Sequence, residues 1–299
     1  MKNIQANIVI MGAGASGMMS AYFASAKGKK VIVLDHNKQV GRKILISGGG
    51  RCNFTNMFVE ASDYACENPH FVKSALSRFS PWDFVAMVEN GGVPYFEKKL
   101  GQLFCKDSAK DINNMLMKQL QRPNIEFILE QKDIELKKTP SGFTLQNNNI
   151  LVECEDVIIA TGGLVLPSIG ASDFGHKVAK MFGHKIIPTT PALVPFKVPG
   201  FDKVKGNAFV VGATCKGHYI EEEVLFTHKG LSGPGILKIS LFWDHGDEVV
   251  FNWLPKSDVG ELISAAPGNI QVDTVLKRHL PNSFVDLIFK RIGLDGSKF

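Results

Sequence analysis

The chain has 299 residues, of which 44% are hydrophobic and 21% charged, and its formal net charge is +5. This length accommodates one large domain or two modest ones, and the scattered basic residues do not predict a nucleic-acid partner. No apolar run reaches membrane-spanning length, the first residues do not form a secretory signal, and an odd number of cysteines without a CxxC pair supports neither a disulfide framework nor a zinc site. The composition therefore predicts a cytoplasmic globular protein without a membrane partner.

The first forty residues predict a β-α-β unit with a glycine-rich turn. The apolar run NIVIM leads into GAGASG, a segment of good helix formers follows, and a second apolar run, VIVL, ends at Asp35. In such a unit Gly12 permits the tight turn, Gly14 lets the backbone approach a pyrophosphate, and Gly17 lets helix and strand pack closely. This full context of strand, turn, helix and acidic residue indicates a dinucleotide-binding site.

The helix after the turn offers free N–H groups and a partial positive charge to phosphates, and the Asp35 carboxylate can accept hydrogen bonds from ribose hydroxyls. We therefore predict the following cofactor-binding residues: Gly12, Gly14, Ala15, Ser16, Gly17 and Asp35. An acidic residue at this position disfavours a 2′-phosphate and hence NADP, whereas NAD and FAD both remain open.

A second glycine-rich segment, GRKILISGGGRCNFTN, spans Gly41 to Asn56. Three consecutive glycines weaken a helix or strand, but without β-carbons successive N–H groups can converge on anionic oxygens. Arg42, Lys43 and Arg51 add positive charge. The segment predicts a further set of cofactor-binding residues: Arg42, Lys43, Ser47, Gly48, Gly49, Gly50, Arg51, Cys52 and Asn53.

This segment closely resembles the second motif of the BaiN-like flavoproteins, the aminoacetone-oxidase-type NAD(P)/FAD-dependent oxidoreductases. Three later stretches are also similar to motifs of that family: Ala160–Gly163, Thr190–Pro195 and Leu225–Pro234. The resemblance implies FAD as the bound dinucleotide, with the second glycine segment lying along its pyrophosphate and toward the isoalloxazine. It adds Thr161, Gly162 and Gly163 to the expected cofactor-binding residues.

The chain departs from the family pattern in two places. Asp35 stands where such flavoproteins usually carry Glu, and the shorter side chain should still reach a ribose hydroxyl. Family members also continue into a segment that returns to the first domain and closes over the flavin, and the sequence around Arg291–Phe299 has no counterpart of it. The resemblance therefore implies a truncated member.

The predicted fold class is α/β, with a Rossmann-like FAD-binding domain over residues 1–191 and an inserted β-rich substrate or lid domain over residues 192–299. In the first domain, helical spacing predicts two helices between Pro69 and Gly91 and further helices at Ser108–Leu120 and Asp173–Phe182. Alternating patterns predict antiparallel strands at Ile125–Leu129, Ile134–Leu136, Gly142–Leu145 and Ile150–Cys154. The run DVIIATGG predicts a strand that returns to the parallel sheet, and the resemblance suggests adenine contacts near Lys132–Ile134.

In the second domain, strands are predicted at Ala208–Ala213, Glu223–Phe226 and Glu248–Trp253. A helix is predicted to start at Ser232–Pro234 and to run through Ile236 to Phe242, and two amphipathic helices are predicted to end near Ile292.

Two side chains are candidates for chemistry. A thiolate at Cys52, favoured by Arg51, could exchange electrons with a flavin; the alternative is a packed or flavin-shielding cysteine. His228 is the best imidazole for the proton transfer that accompanies hydride chemistry; the alternative is a histidine that caps or orients its loop. No metal-ligand spacing is present.

The sequence thus predicts an FAD-dependent oxidoreductase in which NAD(P)H, bound transiently, reduces an unidentified small organic substrate by flavin-mediated hydride transfer. Reduction of an activated carbon–carbon double bond and oxidation of an amine both remain open. An alternative is a truncated non-catalytic remnant with weak or no FAD binding, which would be colourless after purification. A third interpretation is an RNA-linked flavoprotein related to tRNA-modifying enzymes, which would bind RNA with a steep salt dependence.

Overall fold

The protein is described by a computed structural model that covers residues 1–294. The chain divides into two compact units, Met1–Ile187 and Pro188–Phe299. The sequence placed this division between residues 191 and 192. No helix within residues 1–294 combines the length and apolarity that crossing a membrane requires.

The first unit is built around a mixed sheet with strand order β6-β2-β1-β9-β8-β7. The strands of this unit are β1 (Lys2–Met11), β2 (Val31–Leu34), β3 (Asn53–Asn56), β4 (Tyr95–Glu97), β5 (Gln102–Cys105), β6 (Ile125–Ile128), β7 (Glu135–Thr139), β8 (Gly142–Gln146) and β9 (Ile150–Ile159). The strands β6, β2, β1 and β9 run parallel, whereas β9, β8 and β7 form an antiparallel meander. A smaller antiparallel sheet has the order β3-β5-β4.

The helices of the first unit are α1 (Ala15–Ala26), α2 (Arg42–Ile46), α3 (Lys73–Arg78), α4 (Pro81–Asn90), α5 (Ala109–Gln119) and α6 (Phe174–Met181). Capping boxes start α4 and α5, where Ser80 and Ser108 each accept a hydrogen bond from a backbone N–H of the first turn. The helices predicted from helical spacing in this unit are therefore confirmed.

The central strands are buried on both faces of the sheet, as parallel strands usually are. Val31 and Val33 join a core cluster with residues of α1 and α5, whereas Ile32 and Leu34 join a second cluster with β7, β8, β9 and α6. The unit is thus a three-layer α/β domain, which confirms the Rossmann-like fold class.

Two sequence expectations are wrong in this unit. The segment Ile125–Leu129 was predicted to be antiparallel, but β6 pairs in parallel with β2. The runs Ile150–Cys154 and DVIIATGG were expected to be separate strands, yet they form the single strand β9, which pairs in parallel with β1. The predicted return of this strand to the parallel sheet is confirmed.

The second unit contains an antiparallel sheet with strand order β10-β13-β12-β11-β14. Its elements are β10 (Phe196–Lys197), β11 (Ala208–Cys215), β12 (His218–Thr227), β13 (Gly230–Ser232), β14 (Val250–Asn252), α7 (Pro234–Ile239), α8 (Val259–Ser264), α9 (Val272–Leu276) and α10 (Asn282–Ile292). Its core joins Phe226 and Phe284, which are almost fully buried, to the aromatic rings of Phe209 and Trp253. The helix predicted to reach Phe242 ends at Ile239.

Candidate functional site

The turn between β1 and α1 combines glycines that the fold requires with one that it leaves free. Gly12 has a φ of +110°, and a β-carbon there would overlap the carbonyl oxygen of Ala160 on the neighbouring strand end. A β-carbon on Gly17 would overlap the carbonyl oxygen of Gly12. Gly14 has ordinary backbone angles and no atom within 4 Å of the position of a β-carbon. The space beside Gly14 is therefore open for a ligand that approaches the backbone closely.

The N-terminus of α1 has the properties of an anion site. No side chain caps this helix, and no acidic residue lies in its first turn. The N–H groups of Ala15 and Ser16 lack intrahelical acceptors because they belong to the first turn, and the helix dipole favours negative charge there. This end of a twelve-residue helix therefore suits a phosphate.

Asp35 is held in a hydrogen-bonded network at the end of β2. Its Oδ2 accepts from the backbone N–H of Ala13 at 2.7 Å, and its Oδ1 accepts from the backbone N–H of Asn37 at 2.7 Å. The Asn37 side chain also donates to Asp35 at 3.0 Å and accepts from Nη1 of Arg42 at 2.7 Å. Asp35 thus fixes both glycine-rich segments in position, and its oxygens keep further acceptor capacity for a ligand hydroxyl.

Two adjoining clefts, of about 390 and 310 Å³, lie at the carboxyl ends of β1, β2 and β9. Residues that line both clefts are Gly12, Asp35, His36, Thr161, Gly170 and Ala171. Gln131–Ile134, which include the residues predicted to contact adenine, line the first cleft, and the adenine contact itself stays a prediction. Ligands of open α/β sheets bind at this edge, and two clefts that share a wall suit a ligand with two ends.

The second cleft collects the positive charge predicted for a pyrophosphate. Predicted cofactor-binding residues that line it are Gly12, Gly14, Ala15, Ser16, Asp35, Arg42, Lys43, Thr161 and Gly162. The ammonium nitrogen of Lys43 lies 3.5 Å from the position of a β-carbon on Gly162, so the two glycine-bearing edges face each other. Free helical N–H groups, a lysine, an arginine and a carboxylate at the strand end are the donor and acceptor set of a dinucleotide diphosphate and ribose. These residues fit FAD.

The remaining predicted residues lie elsewhere. Gly17 packs α1 against the turn, and Gly163 is exposed with open space around its α-carbon. Residues 47–53 do not line either cleft, although they follow α2 directly in the chain. We assign the side-chain amide of Asn53 with its NH₂ group toward the carbonyl oxygens of Thr55 and Leu103, at 3.2 and 3.1 Å, because both of these neighbours are acceptors; Asn53 then holds the start of β3.

The triple glycine forms a left-handed turn between α2 and β3. The φ angles of Gly48, Gly49 and Gly50 are +57°, +68° and +85°. A β-carbon on Gly48 would also lie 2.6 Å from the backbone nitrogen of Asn53. Glycine is therefore required here by the backbone conformation. The sequence indicated one glycine-rich segment from Gly41 to Asn56 and did not predict α2 or β3 within it.

Cys52 is buried and its thiol is not activated. Burial raises the pKa of Cys52 above its ordinary value, and a hydrogen bond with Ser47 opposes this shift only in part. The pKa of the neighbouring thiol, Cys105, is raised to about 11, mainly by burial. The expectation that Arg51 favours a thiolate at Cys52 is therefore wrong, whereas the redox role itself stays a prediction.

His228 lies in the second unit, in the tight turn that joins β12 to β13, and it is exposed. Thr227 holds this turn, because its hydroxyl donates to the carbonyl of Gly230 at 3.0 Å and accepts from the backbone N–H of Lys229 at 3.2 Å. The turn does not depend on the imidazole, which leaves His228 available to a substrate.

Sequence reasoning missed the loop that follows β9. Gly170 has a φ of +97°, and a β-carbon there would overlap Nε2 of His36, so this loop lies directly over the end of β2. His36, Gly170 and Gln131 line the cleft but were not predicted. The available signal was a glycine in the loop that follows β9 at the ligand-binding edge of the sheet, although Gly170 lies eleven residues beyond the last residue of that strand, Ile159.

Comparison with known proteins gives a family match over nearly the whole chain. The model of the "HI0933-like protein Rossmann domain" matches residues 6–289. A "Ribosomal RNA dihydrouridine synthase" of Escherichia coli (strain K12) is 43% identical over 287 residues, which make up 93% of this chain and 72% of that protein. A protein of the same name from Haemophilus influenzae is 40% identical over 291 residues, 93% of this chain and 73% of that one. A "3-dehydro-bile acid delta(4,6)-reductase" of Clostridium scindens is 30% identical over 243 residues, 78% of this chain and 59% of that one.

Proposed function

The chain belongs to the HI0933-like Rossmann-domain family of FAD-binding oxidoreductases, and on that premise we propose that it is a ribosomal RNA dihydrouridine synthase, an enzyme that uses NAD(P)H to reduce uridine in ribosomal RNA. The observation that carries this proposal is the 43% identity, over 93% of the chain, to the Escherichia coli protein of that name. The proposal departs from the expectation of a small organic substrate.

The names of the relatives share one chemistry. Dihydrouridine is uridine with its C5=C6 double bond saturated, and that bond is conjugated to the C4 carbonyl. The two delta(4,6) double bonds of a 3-dehydro bile acid, C4=C5 and C6=C7, are likewise conjugated to the 3-oxo group. Both names therefore describe reduction of an enone-type double bond, which supports this reaction class over amine oxidation for the present chain.

The residues of the first unit would hold the cofactor. The N–H groups of Ala15 and Ser16 would face its diphosphate beside the open side of Gly14, and Arg42 and Lys43 would neutralise the phosphate charge. The residual acceptor capacity of Asp35 would meet a ribose hydroxyl. When bound, FAD supplies hydride transfer between the nicotinamide and the substrate, which no side chain can perform.

The overall reaction consumes one proton as well as one hydride. Uridine, NAD(P)H and a proton give dihydrouridine and NAD(P)⁺, with the hydride added at C6 and the proton at C5. We assign the proton to the imidazole of His228, which is exposed in the turn after β12 and would regain it from water.

The test is direct product analysis. The purified chain is incubated with FAD, NADH or NADPH, and in vitro transcribed ribosomal RNA, which contains no dihydrouridine. The RNA is then digested to nucleosides and analysed by mass spectrometry for uridine that has gained two hydrogens. The expected result is dihydrouridine formation that requires both FAD and a reduced nicotinamide.

Two other outcomes have defined meanings. A yellow protein that reduces a 3-oxo steroid enone but not ribosomal RNA would overturn the RNA substrate and favour the small-molecule alternative. A colourless protein that rejects added FAD would overturn the proposal altogether and favour the non-catalytic interpretation.

A further inference from the structure

Four lysines that are separated in sequence come together at one end of the sheet of the second unit. This lysine cluster consists of Lys197, Lys203, Lys205 and Lys229, and all four are exposed. None of them forms an ion pair within residues 1–294. Lysines elsewhere in the unit do form such pairs, for example Lys216 with Asp244.

The strand register and the adjoining backbone hydrogen bonds place Lys197, Lys205 and Lys229 at this end of the sheet, and Lys203 precedes Lys205 by two residues. Lys197 ends β10 and lies opposite Gly230, which starts β13, while the backbone N–H of Val198 donates to the carbonyl of Lys229 at 3.3 Å. On the other side of β12, the backbone N–H of Gly206 donates to the carbonyl of Phe226 at 2.8 Å. The residue preceding Gly206, Lys205, therefore lies at the same end of the sheet as Lys197 and Lys229.

The segment between β10 and β11, which carries Lys203 and Lys205, is held in place by packing and hydrogen bonds. Phe201 and Val204 are buried in the core cluster of the unit, whereas Lys203 and Lys205 on either side of Val204 are exposed. The guanidinium group of Arg291 lies 4.2 Å from the centre of the Phe201 ring, and it donates to two backbone carbonyls just before that ring. These contacts fix the backbone of the segment, and Arg291 adds a further positive charge beside it.

Positive charge predominates on the segments that carry the lysine cluster. Asp202 is the acidic residue on the segments that carry the lysine cluster, and it is exposed beside Lys203. Unpaired ammonium groups repel one another, so a fold that gathers them is stabilised by a polyanion that lies across them. The backbone of RNA is such a polyanion, and displacement of its counterions gives a large binding free energy.

We propose that the lysine cluster is the surface on which this protein holds the phosphate backbone of ribosomal RNA. This inference rests on the proposed function, because ribosomal RNA is the polyanion which that function requires. The cluster surrounds the turn that carries His228, so the strand held on it would pass beside the proposed proton donor.

The test compares two triple variants of the full chain. K197Q/K205Q/K229Q removes one lysine from each contributing segment, and K216Q/K238Q/K256Q removes three lysines of the same unit that are paired with carboxylates. Binding to protein-free ribosomal RNA is measured as a function of salt concentration, and flavin absorbance and thermal unfolding confirm that each variant is folded.

We expect the cluster variant to bind at least about tenfold more weakly at physiological salt and to lower the slope of log K against log salt by about 2 to 3. The control variant should keep the slope of the wild type. Equal slopes for wild type and cluster variant would overturn the proposal for this surface.

The same experiment separates this inference from the proposed function. If the wild type forms dihydrouridine and the cluster variant keeps the salt slope of the wild type, the proposed function stands and the proposal that the lysine cluster binds RNA is overturned. If the cluster variant loses RNA binding but the wild type forms no dihydrouridine, RNA binding by the lysine cluster is supported and the proposed dihydrouridine synthase function is overturned.

Discussion

At the scale of single residues, the first glycine-rich turn separates what the fold needs from what a ligand needs. Gly12 requires its positive φ and has no room for a β-carbon, so it is necessary for the chain itself. Gly14 has a negative φ and has room for a β-carbon, so the chain itself does not require glycine there. Because another residue would fit at position 14 without strain, we explain the glycine by the close approach of a bound ligand.

Gly14→Ala tests this explanation. We expect the substitution to leave the stability of the apoprotein unchanged or slightly raised, because the backbone is extended and the space is open. It should weaken FAD binding by about tenfold or more, because the new methyl group would occupy the space of the diphosphate. Calorimetric titration with FAD measures the affinity.

The matched control for this test is Gly268→Ala. Gly268 also has ordinary backbone angles and no atom within 4 Å of a β-carbon, but it lies in the second unit. FAD affinity in this variant should equal that of the wild type. An unchanged affinity in Gly14→Ala as well would remove the ligand from the explanation of Gly14.

The proposed proton donor predicts a second residue-scale effect. His228→Gln should lower kcat for uridine reduction by about 100-fold, the usual contribution of a general acid. The flavin content should not change. His279→Gln replaces another exposed histidine of the same unit and should retain the kcat of the wild type.

At the scale of elements, the triple glycine shows where local sequence patterns stop being informative. The sequence correctly identified these residues as unsuited to a helix or strand. It could not identify their common left-handed conformation, nor that α2 and β3 flank them, because those depend on packing against Phe104 and on pairing with β5. The same limit explains the error at β6, since an alternating pattern does not reveal whether the partner strand is parallel.

The triple glycine also gives a graded stability prediction. Gly49 has a φ of +68° and open space where a β-carbon would lie. Gly49→Ala should therefore lower the free energy of unfolding by about 1 kcal/mol, the cost of a left-handed conformation for alanine. Gly48→Ala adds a clash with the backbone of Asn53 and should cost about 3 kcal/mol. Urea unfolding measures both values, and equal costs would contradict the predicted clash.

At the scale of the whole molecule, the sequence predicted the α/β class and the cofactor cleft, because strand, turn and helix of a β-α-β unit are adjacent in the chain. It did not predict the lysine cluster. Those lysines are distributed over thirty residues or so of sequence and meet only through the register of β10, β12 and β13. Charge that appears scattered along the chain can therefore be concentrated by the fold.

The buried thiols predict how stability depends on pH. The pKa of Cys105 and of Cys154 is raised to about 11 from an ordinary value of 9.0, in both cases mainly by burial. The neutral thiol is thus favoured in the folded state, so its contribution is complete below pH 9 and is lost as the pH rises toward 11.

We therefore expect the free energy of unfolding to fall between pH 9 and 11. Cys154→Ala should make this fall less steep, whereas replacement of the exposed Cys66 by Ala should leave it unchanged. Urea titrations at several pH values measure the slope. An identical slope in Cys154→Ala and wild type would contradict the linkage.

The position of β9 also affects how the chain folds during synthesis. This strand pairs with β1 along almost its whole length, yet the ribosome makes it long after β1 has emerged. Until then the nascent β-α-β unit has an unprotected edge, at which another extended segment could pair wrongly. The parallel sheet therefore stays incomplete until β9 has been made, more than 100 residues after β1. Chaperones that shield open strand edges should raise the yield of native protein.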